Sequence, residues 1–138
     1  MSEVEGAVID TNVLIYDLVE DSVYHVEASG LLDGLGKWYI PMIVFHELVW
    51  VLRELGVSVG DVLDLVSQYA FSRKAVVVCE EFLDVISSLK TIASEGLSLS
   101  RYNDKVILHV ACRLKMPLAT FDRRLRMQAN RMGLITLP

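Results

Sequence analysis

Short apolar runs recur along the chain, each followed by a longer stretch of helical periodicity, and no other feature limits the possible folds as strongly. The runs lie at residues 7–9, 38–40, 75–79, 117–121 and 134–137. Runs this short, without polar alternation, read as strands buried on both faces of a parallel sheet. Parallel neighbours need a crossover long enough to carry a helix, and helices are expected over 22–35, 42–55, 58–71, 81–95, 102–115 and 123–132. The pattern predicts an α/β fold of three layers, a mostly parallel central sheet flanked by helices. A chain of 138 residues has room for one such core, so residues 1–138 are read as a single domain.

Local signals agree with this division. Gly34, Gly36, Gly56 and Gly133 follow periodic stretches as helix stops, Pro41 suits a helix start, and Ser58, Ser98 and Ser100 suit caps. Over 22–35 the apolar stripe is read as Val23, Val26, Leu31 and Leu35, and over 102–115 as Val106, Ile107, Val110, Ala111 and Leu114. The first run, VID, is expected to pass into a loop at Asp10, Thr11 and Asn12. Residues 42–55 are apolar almost all round, so that helix is expected to be largely buried, which makes Glu47 an anomaly.

Composition narrows the class further. Hydrophobic residues make up 53% of the chain and charged residues 22%, the opposite of a disordered sequence. Mean hydropathy is high at +0.42, yet the longest stretch without Asp, Glu, Lys or Arg is residues 38–46, well short of the roughly 20 needed to span a bilayer. The first nine residues hold two Glu and no Lys or Arg, unlike a secretory signal, and the expectation is a cytoplasmic protein without membrane attachment. Cys79 and Cys112 are expected to be buried free thiols.

Four acids stand out against this apolar background. Asp10 and Asp122 each follow an apolar run directly, where strand ends of a parallel sheet converge and ligands bind. They share one edge if the first and fourth strands are neighbours. Asp104 opens the helix over 102–115 and can reach the same edge, and Glu47 sits in the helix after the second strand. Each has an ordinary explanation: Asp10 as a turn or cap, Asp104 as a first-turn acid, Asp122 as a cap, Glu47 as partner of a base. Together they would repel by about 4 kcal/mol per pair at ~4 Å and an effective dielectric of 20, so a cation is expected among them. Oxygen donors select Mg²⁺ or Mn²⁺ over zinc.

The segments VIDTNVLIY at 8–16, VFHELVWVLRELG at 44–56, NDKVILHVACRL at 103–114 and LATFDRRL at 118–125 occur in an order that resembles a PIN domain, and within that family a VapC-type toxin ribonuclease. The resemblance implies that Asp10, Glu47, Asp104 and Asp122 are metal-binding, catalytic acids, with Asn12 supporting the first and Thr120 preceding the last. It also implies Mg²⁺- or Mn²⁺-dependent endoribonuclease activity, inhibition by a small antitoxin, and a homodimer. Many relatives carry a further acid two residues after the last motif Asp, where this chain has Arg124, which bears on a second metal position. Glu47 is open to two roles, completing the metal shell or orienting and deprotonating water. A non-catalytic PIN-like scaffold binding RNA or protein is the alternative.

The charge distribution adds a nucleic-acid signal. Residues 1–100 carry 5 Lys and Arg against 16 Asp and Glu, whereas residues 101–138 carry 8 against 2. On the helix over 123–132, Leu125, Ala129 and Met132 form one side, while Arg123, Arg124, Arg126 and Arg131 spread over the other as candidate RNA phosphate contacts. Other chemistries fail on spacing: after His46-Glu47 the second zinc ligand of an HExxH would fall on Trp50, and His25, His46 and His109 lie on separate helices. Excess apolar residues over 42–55 and 58–71 (Val49, Trp50, Leu52, Leu63, Val66, Tyr69, Phe71) are expected to form the dimer face and a groove for an antitoxin helix.

Overall fold

The computed structural model describes residues 5–138, so the expectation for the first four residues lies outside it. The chain runs β1 (Gly6–Ile9), α1 (Thr11–Leu18), α2 (His25–Gly34), β2 (Lys37–Pro41), α3 (Met42–Glu54), α4 (Val59–Ala70) and β3 (Ala75–Val78). It continues through α5 (Phe82–Glu95), a 3-10 turn (Leu99–Arg101), α6 (Tyr102–Leu114), β4 (Leu118–Ala119), α7 (Arg123–Arg131) and β5 (Thr136–Leu137). All five strands pair in parallel in the order β3-β2-β1-β4-β5. The α/β expectation holds, with a wholly parallel sheet.

Strand order positions everything that follows. The chain winds outward from β1 through β2 to β3, then returns to place β4 on the other side of β1. Beyond the carboxyl ends of β1 and β4 the crossovers diverge and leave a crevice, the position where open α/β sheets bind ligands. Asp10 and Asp122 follow those two strands. The core beneath is built from the strands and the inward faces of α1, α2, α3 and α6, with Val8, Ile9, Leu14, Leu48, Ile107 and Leu118 wholly buried. Gly6 is required on β1 because a Cβ there would lie 2.8 Å from the Tyr39 ring on the neighbouring strand.

Several expectations need correction. The chain does not enter a loop at Asp10: the carboxylate accepts from the Thr11 amide and starts α1, which buries Thr11, Val13 and Leu14. In α2 the stripe facing the core is Ala28, Leu32 and the following Leu35, while Val23 and Val26 are exposed. Helix α3 is amphipathic and not buried all round; Val44, Phe45, Leu48 and Leu52 face inward and Trp50 is 60% exposed. Of the residues expected at a dimer face, Leu52 and Tyr69 belong to the core instead. Tyr69 donates to Asp17 Oδ2 at 2.6 Å, tying α4 to α1. Both cysteines are free, but Cys79 is exposed because β3 is an edge strand that ends just before it.

Side chains cap some helix starts, while α2 and α6 have no side-chain cap and Ser98 caps the 3-10 turn in place of α6. Ser58 caps α4, and Glu81 and Asp84 form a reciprocal capping box on α5. Glu80 accepts from the Ile43 amide at 3.0 Å and so caps α3, the helix that carries Glu47. Buried Asp84 also pairs with Arg113 at 3.0 Å, fastening α5 to α6. No helix among the described residues is long and apolar enough to cross a membrane.

Candidate active site

The register carries β1 and β4 side by side into the crevice. Ile9 pairs with Ala119, and the Asp10 amide donates to the Ala119 carbonyl at 2.9 Å. Asp10 thus lies beside Thr120, whose hydroxyl donates to Asp10 Oδ2 at 2.7 Å. The other oxygen, Oδ1, accepts from the Thr11 amide at 2.7 Å. Asn12 completes the tie: its side-chain amide donates to Asp10 Oδ2 and to Thr120 Oγ1, each at 3.3 Å, and its Oδ1 accepts from the Phe121 amide at 3.1 Å. Asn12 and Thr120 therefore stitch the two strand ends together around Asp10.

Asp10 is only 4% exposed. Burial is the main cause that pushes its carboxyl up from the ordinary 3.8 to about 7, opposed by the Thr120 hydroxyl and assisted by the negative charges of Asp104 and Glu47. Asp104, in the first turn of α6, is raised by burial and by Asp122 and Glu47, against a smaller lowering from Arg101. The four acids come from four segments and are linked electrostatically through Asp104, which couples to Asp122 and Glu47 and to Asp10, while Asp10 also couples to Glu47. Among the described residues Asp104 alone of the four has a basic partner, Arg101 at a loose 3.9 Å.

Asp122 has a second occupation, since it caps α7 by accepting from the Arg124 and Leu125 amides at 2.9 and 3.2 Å through Oδ1. Glu47 is half-buried, and its Oε1 accepts from the Thr11 hydroxyl at 2.6 Å. Sequence reasoning missed Thr11. The signal was present in Asp10 as an N-cap, because a helix starting there turns the next residue toward α3.

The donor chemistry fits a hard divalent cation: carboxylates and hydroxyls, no sulfur, and no imidazole. Among the described residues no three His, Cys, Asp or Glu side chains are grouped closely enough to hold a metal ion by themselves. Mg²⁺ keeps several waters and takes one or two direct carboxylates. The histidines are engaged elsewhere or exposed: His25 Nδ1 lies 3.0 Å from the Tyr16 carbonyl, His109 Nε2 lies 3.0 Å from Thr91 Oγ1, and His46 faces solvent.

The arginines divide. Arg123, Arg124 and Arg131 lie on α7, which begins next to Asp122, and none of the three is buried. Arg126 instead donates to the carbonyls of Thr120 at 3.1 Å and Pro138 at 2.7 Å, so its guanidinium is spent holding the end of the chain against β4. On the core side of the helix Gln128 replaces Met132, because Met132 lies beyond the last turn and is exposed.

Solved structures share this architecture. VapC20 from Mycobacterium tuberculosis, described as a sarcin-ricin loop cleaving toxin, superposes with a TM-score of 0.78 at 12% identity over 96% of this chain and 99% of that one. VapBC2 from Rickettsia felis, solved bound to a promoter DNA fragment, gives 0.63 at 17% identity over 95% and 96%. A toxin-antitoxin complex from Klebsiella pneumoniae gives 0.61 at 19% identity over 87% and 89%. At these identities the likeness is one of fold. No curated protein sequence matches the chain. The PIN domain family model matches residues 7–130, nearly the whole chain and a range that contains all four acids, and the chain belongs to the PIN domain family.

Proposed function

We propose that the chain is a divalent-metal-dependent endoribonuclease that hydrolyses phosphodiester bonds of RNA and serves as the toxin of a toxin–antitoxin pair. The observation that carries this reading is the buried, raised Asp10 at the strand-order reversal, coupled to Asp104 and Glu47 and through Asp104 to Asp122, with a single loose cationic partner among the four. A fold has no structural use for such repulsion, whereas an ion-binding site requires it. That solved relatives in fold are toxins, one of which cleaves an RNA loop, is consistent.

Mg²⁺ or Mn²⁺, held by Asp10, Asp104 and Asp122 directly or through water, would supply a water of lowered pKa and charge neutralisation at the phosphate. The residues of the chain do the rest. Thr11, Asn12 and Thr120 fix both oxygens of Asp10, so its carboxylate needs little reorganisation. Glu47, held at Oε1 by the Thr11 hydroxyl, keeps Oε2 for a water molecule. We assign it the orientation and deprotonation of the attacking water, in preference to direct metal binding. The solvent-facing arginines of α7 neutralise the phosphates flanking the scissile one.

Partners follow from the outer surface. Trp50, Leu55, Val59, Leu63 and Phe71 expose apolar area along α3 and α4 and the turns that follow them. Large apolar side chains exposed on two adjoining helices favour an interface. We assign it to a homodimer and to an apolar helix of the antitoxin.

Incubation of mixed-sequence RNA with the protein and Mg²⁺ or Mn²⁺, beside EDTA and an Asp104→Asn variant, tests the reading. Cleavage confined to the unaltered protein with metal supports it. A protein that binds RNA and never cuts it with either ion is a binding scaffold, and the enzyme reading falls.

A further inference from the structure

We infer that the cavity between the start of α6 and the outer face of α7 is a nucleotide subsite, which grips the single strand beside the carboxylate cluster. The inference rests on the ribonuclease reading above and deepens it, because it names where the flanking nucleotide lies and which groups hold it. The cavity measures about 420 Å³, within the range of small-ligand sites and more than a bare phosphate needs. One wall includes Ser100, Arg101, Lys105 and Glu95, whose carboxylate pairs with Lys105; the other is Arg124, Met127, Gln128 and Arg131.

Spacing explains the second wall. Residues 124, 127 and 131 follow one another at steps of three and four, so they form a single stripe about 10 Å long on α7. The stripe has an arginine at each end and an apolar centre, Met127, which is 62% exposed. Among the described residues neither Arg124 nor Arg131 forms an ion pair, whereas Lys105 is occupied by Glu95 at 3.4 Å and by Gln128. Two uncommitted guanidiniums with a hydrophobic side chain between them match a phosphodiester strand, phosphates at the ends and a base or sugar in the middle.

The cavity also joins the acids. Arg101 leans on Asp104 at 3.9 Å, and the Arg124 amide donates to Asp122 at 2.9 Å, so the inner rim of the pocket is the outer rim of the cluster. A strand whose phosphate lies among the acids with a cation passes directly into the pocket. An acidic protein segment would meet the same four carboxylates with no shared cation, which favours nucleic acid as the occupant. Arg123 and Arg126, read from sequence as part of the same basic face, do not line the cavity.

The test separates binding from chemistry. Anisotropy titrations of a labelled oligoribonucleotide, and of the same sequence as DNA, are run in EDTA and in Ca²⁺ over a salt series. Arg124→Ala and Arg131→Ala should each weaken RNA binding roughly tenfold and reduce the slope of log affinity against log salt by about 0.7. Met127→Ala should weaken binding without altering the slope. Arg73→Ala, a cation just before β3 at the opposite edge of the sheet, should change neither. Equal loss for RNA and DNA identifies the phosphodiester as the recognised element, and a greater loss for RNA adds the ribose. Unchanged slopes in both arginine variants overturn the subsite, as does a slope change of the same size in Arg73→Ala. Displacement of RNA by polyglutamate at comparable concentration overturns the nucleic-acid assignment, and absence of RNA binding by the unaltered protein in both media overturns the whole proposal. Metal-dependent cleavage alongside unchanged slopes removes the subsite and leaves the ribonuclease reading standing; altered slopes without cleavage do the reverse.

Discussion

Replacing Asp10 with Asn removes the most deeply buried charge of the site, and its effect on stability has a sign and a size. Burial raises the carboxyl from 3.8 to about 7, so between those values the folded protein binds a proton that the unfolded chain does not. The contribution of Asp10 to stability without metal is therefore most favourable below about pH 4 and declines as pH rises to 7. At about 1.4 kcal/mol per pKa unit, Asp10 alone accounts for a loss of about 4 kcal/mol; Asp104, also raised, acts in the same direction. In the Asp10→Asn variant the side-chain carbonyl would still cap α1 and accept from the Thr11 amide, while the new NH₂ would face the Asn12 donor, a conflict costing about 1 kcal/mol. At pH 8 in EDTA the variant should then be more stable than the parent by about 3 kcal/mol, a rise of about 1–2 M in the urea midpoint. At pH 4 the order should reverse by about 1 kcal/mol. Mg²⁺ should stabilise the parent at pH 8 and leave the variant unmoved. Urea unfolding at intervals from pH 4 to 8 measures all of this, and a parent whose stability does not change with pH, or a variant with the parent's slope, would refute the account of a charge held in a desolvated crevice.

Thr11→Val removes the hydroxyl that holds Glu47 Oε1 and should lower kcat by about tenfold at unchanged RNA affinity; Thr11→Ser should restore it, and an equal loss in both would place Thr11 outside the positioning of Glu47. Arg126→Ala should cost about 1–3 kcal/mol through the freed carbonyls of Thr120 and Pro138 and leave the salt slope of RNA binding untouched, so a reduced slope would return it to the RNA face. Gly6→Ala drives a methyl into the Tyr39 ring and should destabilise by about 1–3 kcal/mol in thermal melts; an unaltered midpoint would show that the strands part freely there. Light scattering at micromolar concentration should give twice the chain mass, falling to a single chain when Trp50→Glu and Leu63→Glu are combined; a single-chain mass in the unaltered protein removes the dimer.

The strands, most of the helices and the strand-end positions of Asp10 and Asp122 were legible because each depends on a local pattern. Apolar runs flanked by helical periodicity specify buried parallel strands, and carboxylates directly after such runs fall at the edge where open α/β sheets bind ligands. Helix α1 escaped because Val13, Leu14 and Ile15 continue an apolar stretch whose period is ambiguous over so few residues. The signal that resolves it, Asp10 as a cap, had already been read as a turn. The exposed flank of α3 escaped for a related reason, since a helix apolar on every side can be buried by its own chain or by another.

What sequence alone determined was the order of the elements apart from α1, the parallel class of the sheet and the acidic residue types able to take a hard cation. Which strands are neighbours was settled only by the tertiary structure, and the site depends on that. With β4 beside β1, Thr120 reaches Asp10, although 110 residues separate them. The division of labour among the arginines was settled there too: Arg126 meets backbone carbonyls, while Arg124 and Arg131 line a cavity with Arg101 from another element. Periodicity records which side of an element is apolar. Desolvation, hydrogen bonding and electrostatic coupling depend on distances between elements, and those exist only once the chain has packed.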